Sequence, residues 1–452
     1  MMLSNILIAV LALCSGVAFA INGFDIGNWN PVTFDLGTQT NPLDALSPYH
    51  LRVTFPKNCI TQCGDFQTGG MPLMLFVTGF AGQLAASDYD VIANGISRHG
   101  IIVVMCDQNF GFSLTLDYST LGQNLQKVIG FIRQSGENGF LYQLQLRGFS
   151  NSIYGGGARM FMAGHSSGAH VVLQNIKDYA EASGVCINAG GVIMLSPMDG
   201  EDPLGFGGGY VVNSGQLLPF STPALLIAAS LDGASGPVVA GAPCTPNDRG
   251  DLHFYDAWVG EINYIDAQGM GTLDVLDEAS TTIYDQFCAR SNASDVAGRL
   301  AYRTMVRGAI VSFIEGIIVN DQSDIDLLSD PTELNFDVTT QQMGNGRAYG
   351  CTYVPVVQGL SSEVQTGLIL FGFLFAFTFL TGLYCFFRRM DDDTLHRYHP
   401  AEGVGYDQAA SFRTKLEPKY SGSVANEHHQ TSFSLNGGER GHPPSRSPSI
   451  NV

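Results

Sequence analysis

Few patterns constrain a chain more than a buried strand that turns through Gly-x-Ser-x-Gly straight into a helix. Here a short apolar run, Arg159 to Ala163, ends in Gly164-His165-Ser166-Ser167-Gly168, and Val171 to Tyr179 reads as the start of a helix. The two glycines let strand and helix approach closely and accept unusual φ/ψ. A serine at such a turn sits on a strained backbone, its hydroxyl exposed at the end of the strand, where a nucleophile is needed.

The rest of the chain supplies a sheet for that turn. Pro31 to Gly37 and Tyr49 to Pro56 read as two N-terminal strands. Pro72 to Phe80, Gly100 to Asp107, Gly190 to Ser196, Pro223 to Ser230 and Glu261 to Asp266 are apolar runs bounded by turn residues. Asp88 to Arg98, Leu121 to Gln134 and Ala297 to Asn320 carry helical periodicity between and after them. Strands alternating with helices predict an α/β fold, a mostly parallel central sheet with helices on both faces.

Two further apolar segments frame this domain. Met1 to Ala20 has no charged side chain and ends in Ala18-Phe19-Ala20, which reads as a signal peptide. Thr366 to Phe387 is uncharged and long enough to cross a bilayer as a helix. Arg388-Arg389 follow it, so its C-terminal side is expected in the cytosol. The expected order is a signal peptide (1–20), an ectodomain (21–335), a stalk (336–365), a transmembrane helix (366–387) and a disordered cytosolic tail (388–452). That is a single-pass type I membrane protein of the secretory pathway, its ectodomain extracellular or lumenal.

Basic and acidic groups balance in residues 388–452, so the formal net charge of −19 falls on the outer domain. An acidic surface excludes nucleic acid and anionic lipid headgroups as partners of the folded domain. An oxidising compartment permits disulfides. Cys59 with Cys63, and Cys244 with Cys288, are the expected pairs, and Asn292-Ala-Ser294 is a glycosylation sequon. No cysteine or histidine spacing points to a metal, and no cofactor is implied.

Acyl transfer needs a nucleophile, a base, an acid that orients the base, and donors for the oxyanion. Ser166 supplies the first, and the Ser167 N–H one donor. The turn Thr78-Gly-Phe-Ala-Gly82 supplies the second, through the backbone N–H of Phe80 or Ala81. The acid follows in chain order: Asp232, just after the run Pro223 to Ser230, or alternatively Asp199, in Ser196-Pro-Met-Asp-Gly200. The loop after Glu261 to Asp266 contains no histidine, which leaves His253 as the candidate base. His165 and His170 lie within and just after the turn, where packing and hydrogen bonding are the expected roles.

Several of these runs resemble one family. Leu75-Phe-Val-Thr-Gly-Phe80, Ile96-Ser-Arg-His-Gly-Ile-Ile-Val-Val104, Ala163-Gly-His-Ser-Ser-Gly168, Ser196-Pro-Met-Asp-Gly200 and Gly271-Thr-Leu-Asp-Val-Leu-Asp277 are similar to plant-type chlorophyllases, in the same order. The resemblance covers about Pro72 to Glu278. It implies an α/β-hydrolase fold, a metal-free serine mechanism and a lipophilic ester substrate, chlorophyll's phytyl ester in the chlorophyllases. It also implies that the family's aspartate falls on Ser196 and its histidine on Thr272. Two functions follow as expectations. The first is a membrane-anchored serine hydrolase of a lipophilic carboxylic ester. The alternative is a catalytically impaired ectodomain used as a cell-surface binding or receptor-like protein.

Overall fold

The apolar runs become one nine-stranded sheet. In the computed structural model the described residues are 23–38, 49–60, 70–108, 117–154, 160–187, 189–200, 209–213, 215–236, 243–278, 283–286, 288–292, 294–343 and 352–353. In chain order the strands are β1 (Trp29–Thr38), β2 (Tyr49–Cys59), β3 (Leu73–Val77), β4 (Ile102–Gln108), β5 (Met160–His165), β6 (Ala189–Leu195), β7 (Phe220–Ser221), β8 (Ala224–Ala229), β9 (Ile262–Ala267), β10 (Val338–Met343) and β11 (Thr352–Tyr353). The large sheet runs β1-β2-β4-β3-β5-β6-β8-β9-β10, and β7 pairs with β11 apart from it. From β4 to β9 every pairing is parallel. β1, β2 and β10 join antiparallel at the edges.

Every residue of β3, β5, β6 and β8 is buried. A parallel strand covered on both faces is apolar throughout rather than alternating, which is how these runs read. The covering helices are α1 (Asp90–Ser97), α2 (Tyr118–Arg133), α3 (Ser167–Ser183), α4 (Asp251–Ala257) and α5 (Val296–Val319). Residues of α2, α3 and α4 pack into one core with one face of the sheet. Residues of α1 and α5 pack into a second core on the other face. The Asp117 and Asp295 side chains cap α2 and α5 by accepting from Thr120 N and Gly298 N.

β10 is a departure from the sequence reading. Its pairing from Val338↔Ala267 to Met343↔Ile262 makes the start of the expected stalk an edge strand of the sheet. Its polar Thr-Thr-Gln-Gln run hides the strand from a hydrophobic pattern, because an edge strand keeps exposed positions. The Cys244–Cys288 disulfide is present. Cys59 and Cys186 are also disulfide-bonded, and Cys63 lies outside the described residues. So do the expected signal peptide, membrane span and tail. Among the described residues no helix is long and apolar enough to cross a membrane.

Candidate active site

Parallel strands deliver their following loops to one edge, where α/β folds place their sites. Here that edge collects the turns after β3 (Gly79–Gly82), β5 (Ser166), β6 (Ser196–Gly200), β8 (Asp232) and β9 (Thr272).

The turn after β5 has the strain its sequence predicts. Ser166 sits at φ 53°, ψ −130°. Its N–H donates to Leu195 O at 2.8 Å, and its carbonyl accepts from Ala169 N at 3.0 Å. Both glycines are obligatory. A Cβ on Gly164 would meet Ala169 N at 2.4 Å, and one on Gly168 would meet Thr78 O and Val77 O at 2.5 Å. The Ser166 hydroxyl is buried rather than exposed, and Oγ has no hydrogen-bond partner among the described residues. The turn after β6 lies against this residue's backbone, with Met198 N donating to Ser166 O at 3.3 Å.

The turn after β3 is strained as well. Phe80 (φ 51°) and Ala81 (φ 54°) are both left-handed, and the turn is closed by Gly82 N donating to Thr78 O at 2.9 Å. His165 ties this turn to the site. Its Nε2 faces the Thr272 carbonyl at 2.9 Å and must therefore donate, so Nδ1 accepts from Tyr89 OH at 2.7 Å. That hydroxyl in turn accepts from Gly79 N at 3.0 Å. Three loops are joined by one neutral imidazole, and burial lowers the His165 pKa to about 4. The packing role expected for His165 is the one observed.

Asp232 and Thr272 come together. Thr272 Oγ1 donates to Asp232 Oδ1 at 2.6 Å, and Ala229 N donates to Oδ2 at 3.0 Å. Ser196 also hydrogen-bonds this carboxyl. So Asp232, the acid expected from chain order, shares one hydrogen-bond cluster with Ser196 and Thr272, the two positions on which the family resemblance places an aspartate and a histidine. Burial pushes Asp232 up to about 7, against the opposing pull of the Thr272, Ser196 and Ala229 hydrogen bonds. The loop that carries Thr272 is fixed from behind by Arg303, which donates to Leu276 O at 2.8 Å. From the other side, Thr245 Oγ1 lies 3.4 Å from Thr272 Oγ1, next to the Cys244–Cys288 bridge.

His253 does not join Asp232. It projects from α4 towards the segment 209–213, where Nε2 donates to Val212 O at 3.0 Å and to Asp199 Oδ2 at 3.2 Å. The partner is the alternative acid, and Asp199 raises the His253 pKa. Asp199 is itself fully buried. It accepts from the backbone N–H of Gly200, Val211 and Val212, each at 2.9 Å. On the opposite side of this carboxylate stands His170 Nδ1 at 2.8 Å. Burial pushes the Asp199 carboxyl up, but hydrogen bonds from His170, His253 and Val212 N outweigh that and hold it well below the usual range. The alternative acid and the candidate base therefore do meet, and His170, for which only packing and hydrogen bonding are expected, joins them on the same carboxylate. The available signal was a histidine one helical turn after the serine.

The sheet order, the strained serine turn after β5 and the polar loops gathered at the same edge define an α/β-hydrolase. A family model described as Chlorophyllase matches residues 21–342, and the chain belongs to the chlorophyllase family of ester hydrolases. A search of curated proteins returned no match. Among the described residues, no group of histidine, cysteine and acidic side chains is arranged to hold a metal ion.

Proposed function

We propose that this protein is a serine-nucleophile carboxylic ester hydrolase acting on a lipophilic ester, tethered to a membrane of the secretory pathway by the span at 366–387. The observation that carries the reading is where the backbone strain lies. Among the described residues six non-glycine residues have positive φ. Two are asparagines, which tolerate that region. The other four are Phe80, Ala81, Ser166 and Ser196, all at the loop edge of the sheet. Strain of this kind costs on the order of 1–3 kcal/mol per residue and is kept where a site needs it.

In this reading Ser166 Oγ attacks the ester carbonyl. The oxyanion is received by the N–H groups of Ser167 and of Phe80 or Ala81. The alkoxide leaves as an alcohol, and water then releases the acid from the acyl-serine. The buried Oγ suits an apolar acyl group that excludes water. The test is hydrolysis of a short p-nitrophenyl ester by the full chain in mild detergent, against Ser166→Ala. Turnover lost in the variant supports the reading, and equal rates refute it.

One observation favours a second reading, a catalytically impaired ectodomain that binds a partner at the cell surface. Thr272 holds Asp232 directly, in the place where the family resemblance expects a histidine. A threonine hydroxyl takes no proton near neutral pH. A Thr272→His variant that gains ester hydrolysis absent from the wild type would favour this second reading.

A further inference from the structure

The proposed nucleophile needs a base, and five histidines lie among the described residues. His50 pairs with Asp107 on β4, at 2.9 Å. His99 reaches the Asp25 carbonyl from the turn after α1. His165 has both ring nitrogens committed, to Tyr89 and Thr272. His253 and His170 remain, on either side of Asp199.

We infer that His170, oriented by Asp199, is the general base for Ser166, so that the base has moved from the loop after β9 to the nucleophile's own helix. The assignment rests on the reading of Ser166 as nucleophile. Three observations support it. First, His170 Nδ1 lies 2.8 Å from the Asp199 carboxylate, closer than its 3.3 Å to Gly200 N, whose N–H reaches Asp199 Oδ1 at 2.9 Å; Nδ1 therefore carries the proton towards Asp199 and Nε2 is the nitrogen left to accept one. This is the tautomer a serine hydrolase needs, with the acid on one ring nitrogen and the other free. Second, His170 is completely buried, and Nε2 has no hydrogen-bond partner among the described residues, nor has Ser166 Oγ. A buried polar atom without a partner is rare and calls for a reason. Third, the two residues are one turn apart, with Ser166 as the residue that caps α3. Side chains on a helix lean back towards its N-terminus and over the preceding turn, which for position 170 is the turn that begins at Ser166. Asp199 belongs to the same neighbourhood, because Met198 N donates to Ser166 O.

The other residues fit this assignment. The Tyr118 ring lies against His170, with centroids 4.0 Å apart, and walls the imidazole from that side. His253 binds the outer oxygen of Asp199 and acts as a positioning residue for the carboxylate. In the reaction His170 Nε2 accepts the Ser166 hydroxyl proton as Oγ bonds to the carbonyl carbon. It returns that proton to the departing alkoxide as the ester bond breaks. It then takes a proton from the water that cleaves the acyl-serine, and Ser166 recovers its own on release of the acid.

The test is the rate at which a serine-directed fluorophosphonate labels the full chain, for wild type, His170→Asn, His253→Asn and Ser166→Ala. Asparagine keeps an N–H for Asp199 and has no basic nitrogen. The expected result is labelling of His170→Asn slowed at least ~100-fold, the usual worth of a general base. His253→Asn, which keeps an N–H for the outer oxygen of Asp199, slows labelling less than His170→Asn does. Added imidazole restores labelling to His170→Gly, which separates a lost base from a lost fold. A wild-type rate in His170→Asn, or no rescue of His170→Gly by imidazole, overturns the assignment and leaves Ser166 as nucleophile. A wild type labelled no faster than Ser166→Ala overturns both readings together.

Discussion

Thr272 Oγ1 and Asp232 Oδ1 stand 2.6 Å apart, a short bond between the acid position after β8 and the position after β9 where the family resemblance places a histidine. The carboxyl is fully buried and held by three hydrogen-bond donors. Removing one of them leaves a buried acceptor under-satisfied, which costs about 1–3 kcal/mol. Thr272→Val is therefore expected to lower thermal stability by that order. With His170 as the base, it leaves the fluorophosphonate rate near wild type. Calorimetry and labelling on the same sample check both halves.

Asp232 also gives the molecule a pH signature. Its folded pKa is about 7, raised by burial above the usual 3.8. A raised carboxyl means that the folded state holds a proton the unfolded state has released. The contribution is full below pH 3.8 and is lost as pH rises through 7. Asp277 and Asp324, each raised to about 6 chiefly by burial, act with the same sign. The melting temperature of Asp232→Asn is expected to fall less than that of wild type between pH 5 and 8, in thermal melts at matched ionic strength.

His165 works in the opposite direction. Burial lowers its pKa to about 4 from 6.5, so the unfolded chain takes up a proton first as pH falls. Its contribution is present above pH 6.5 and is lost as pH drops through 4. The stability difference between wild type and His165→Gln is expected to narrow across that window. His99, lowered to about 4 mainly by burial, provides a second case.

Much of this was legible in the sequence, and the reason is local. Gly164 and Gly168 are dictated by contacts within a strand, a turn and a helix that are contiguous in the chain. The apolar runs of β3, β5, β6 and β8 are readable because burial on both faces leaves no room for polar positions. The expected Cys244–Cys288 pair forms as well. The fate of the acids was not legible. Asp232 and Asp199 each follow a parallel strand and precede a glycine by one residue, so nothing nearby tells them apart. What separates them is which distant side chain reaches each: Thr272 for one, His170 and His253 for the other. β10 escaped because an edge strand made of Thr and Gln carries no apolar alternation.

Strain at the nucleophile sets stability against function. Ser166 at φ 53° and ψ −130° occupies backbone space that glycine reaches without cost. Ser166→Gly is expected to stabilise the fold by about 1 kcal/mol. It abolishes labelling, and chemical denaturation measures the gain.

The Cys244–Cys288 bridge braces the segment that carries Thr245 against the Thr272 loop. Replacing both cysteines by alanine is expected to cost about 2–4 kcal/mol, the usual worth of closing a loop of this size. A melting temperature lower in the double variant than in the non-reduced wild type, and a smaller further fall on reduction of the variant than of the wild type, check it.

The most direct test is a fluorophosphonate labelling assay on wild type and Ser166→Ala, followed by identification of the modified peptide. The account predicts one adduct, on the peptide containing Ser166, and none in the variant. Equal labelling of the two proteins, or an intact wild type after prolonged exposure, contradicts the claim that the strained serine after β5 is a nucleophile.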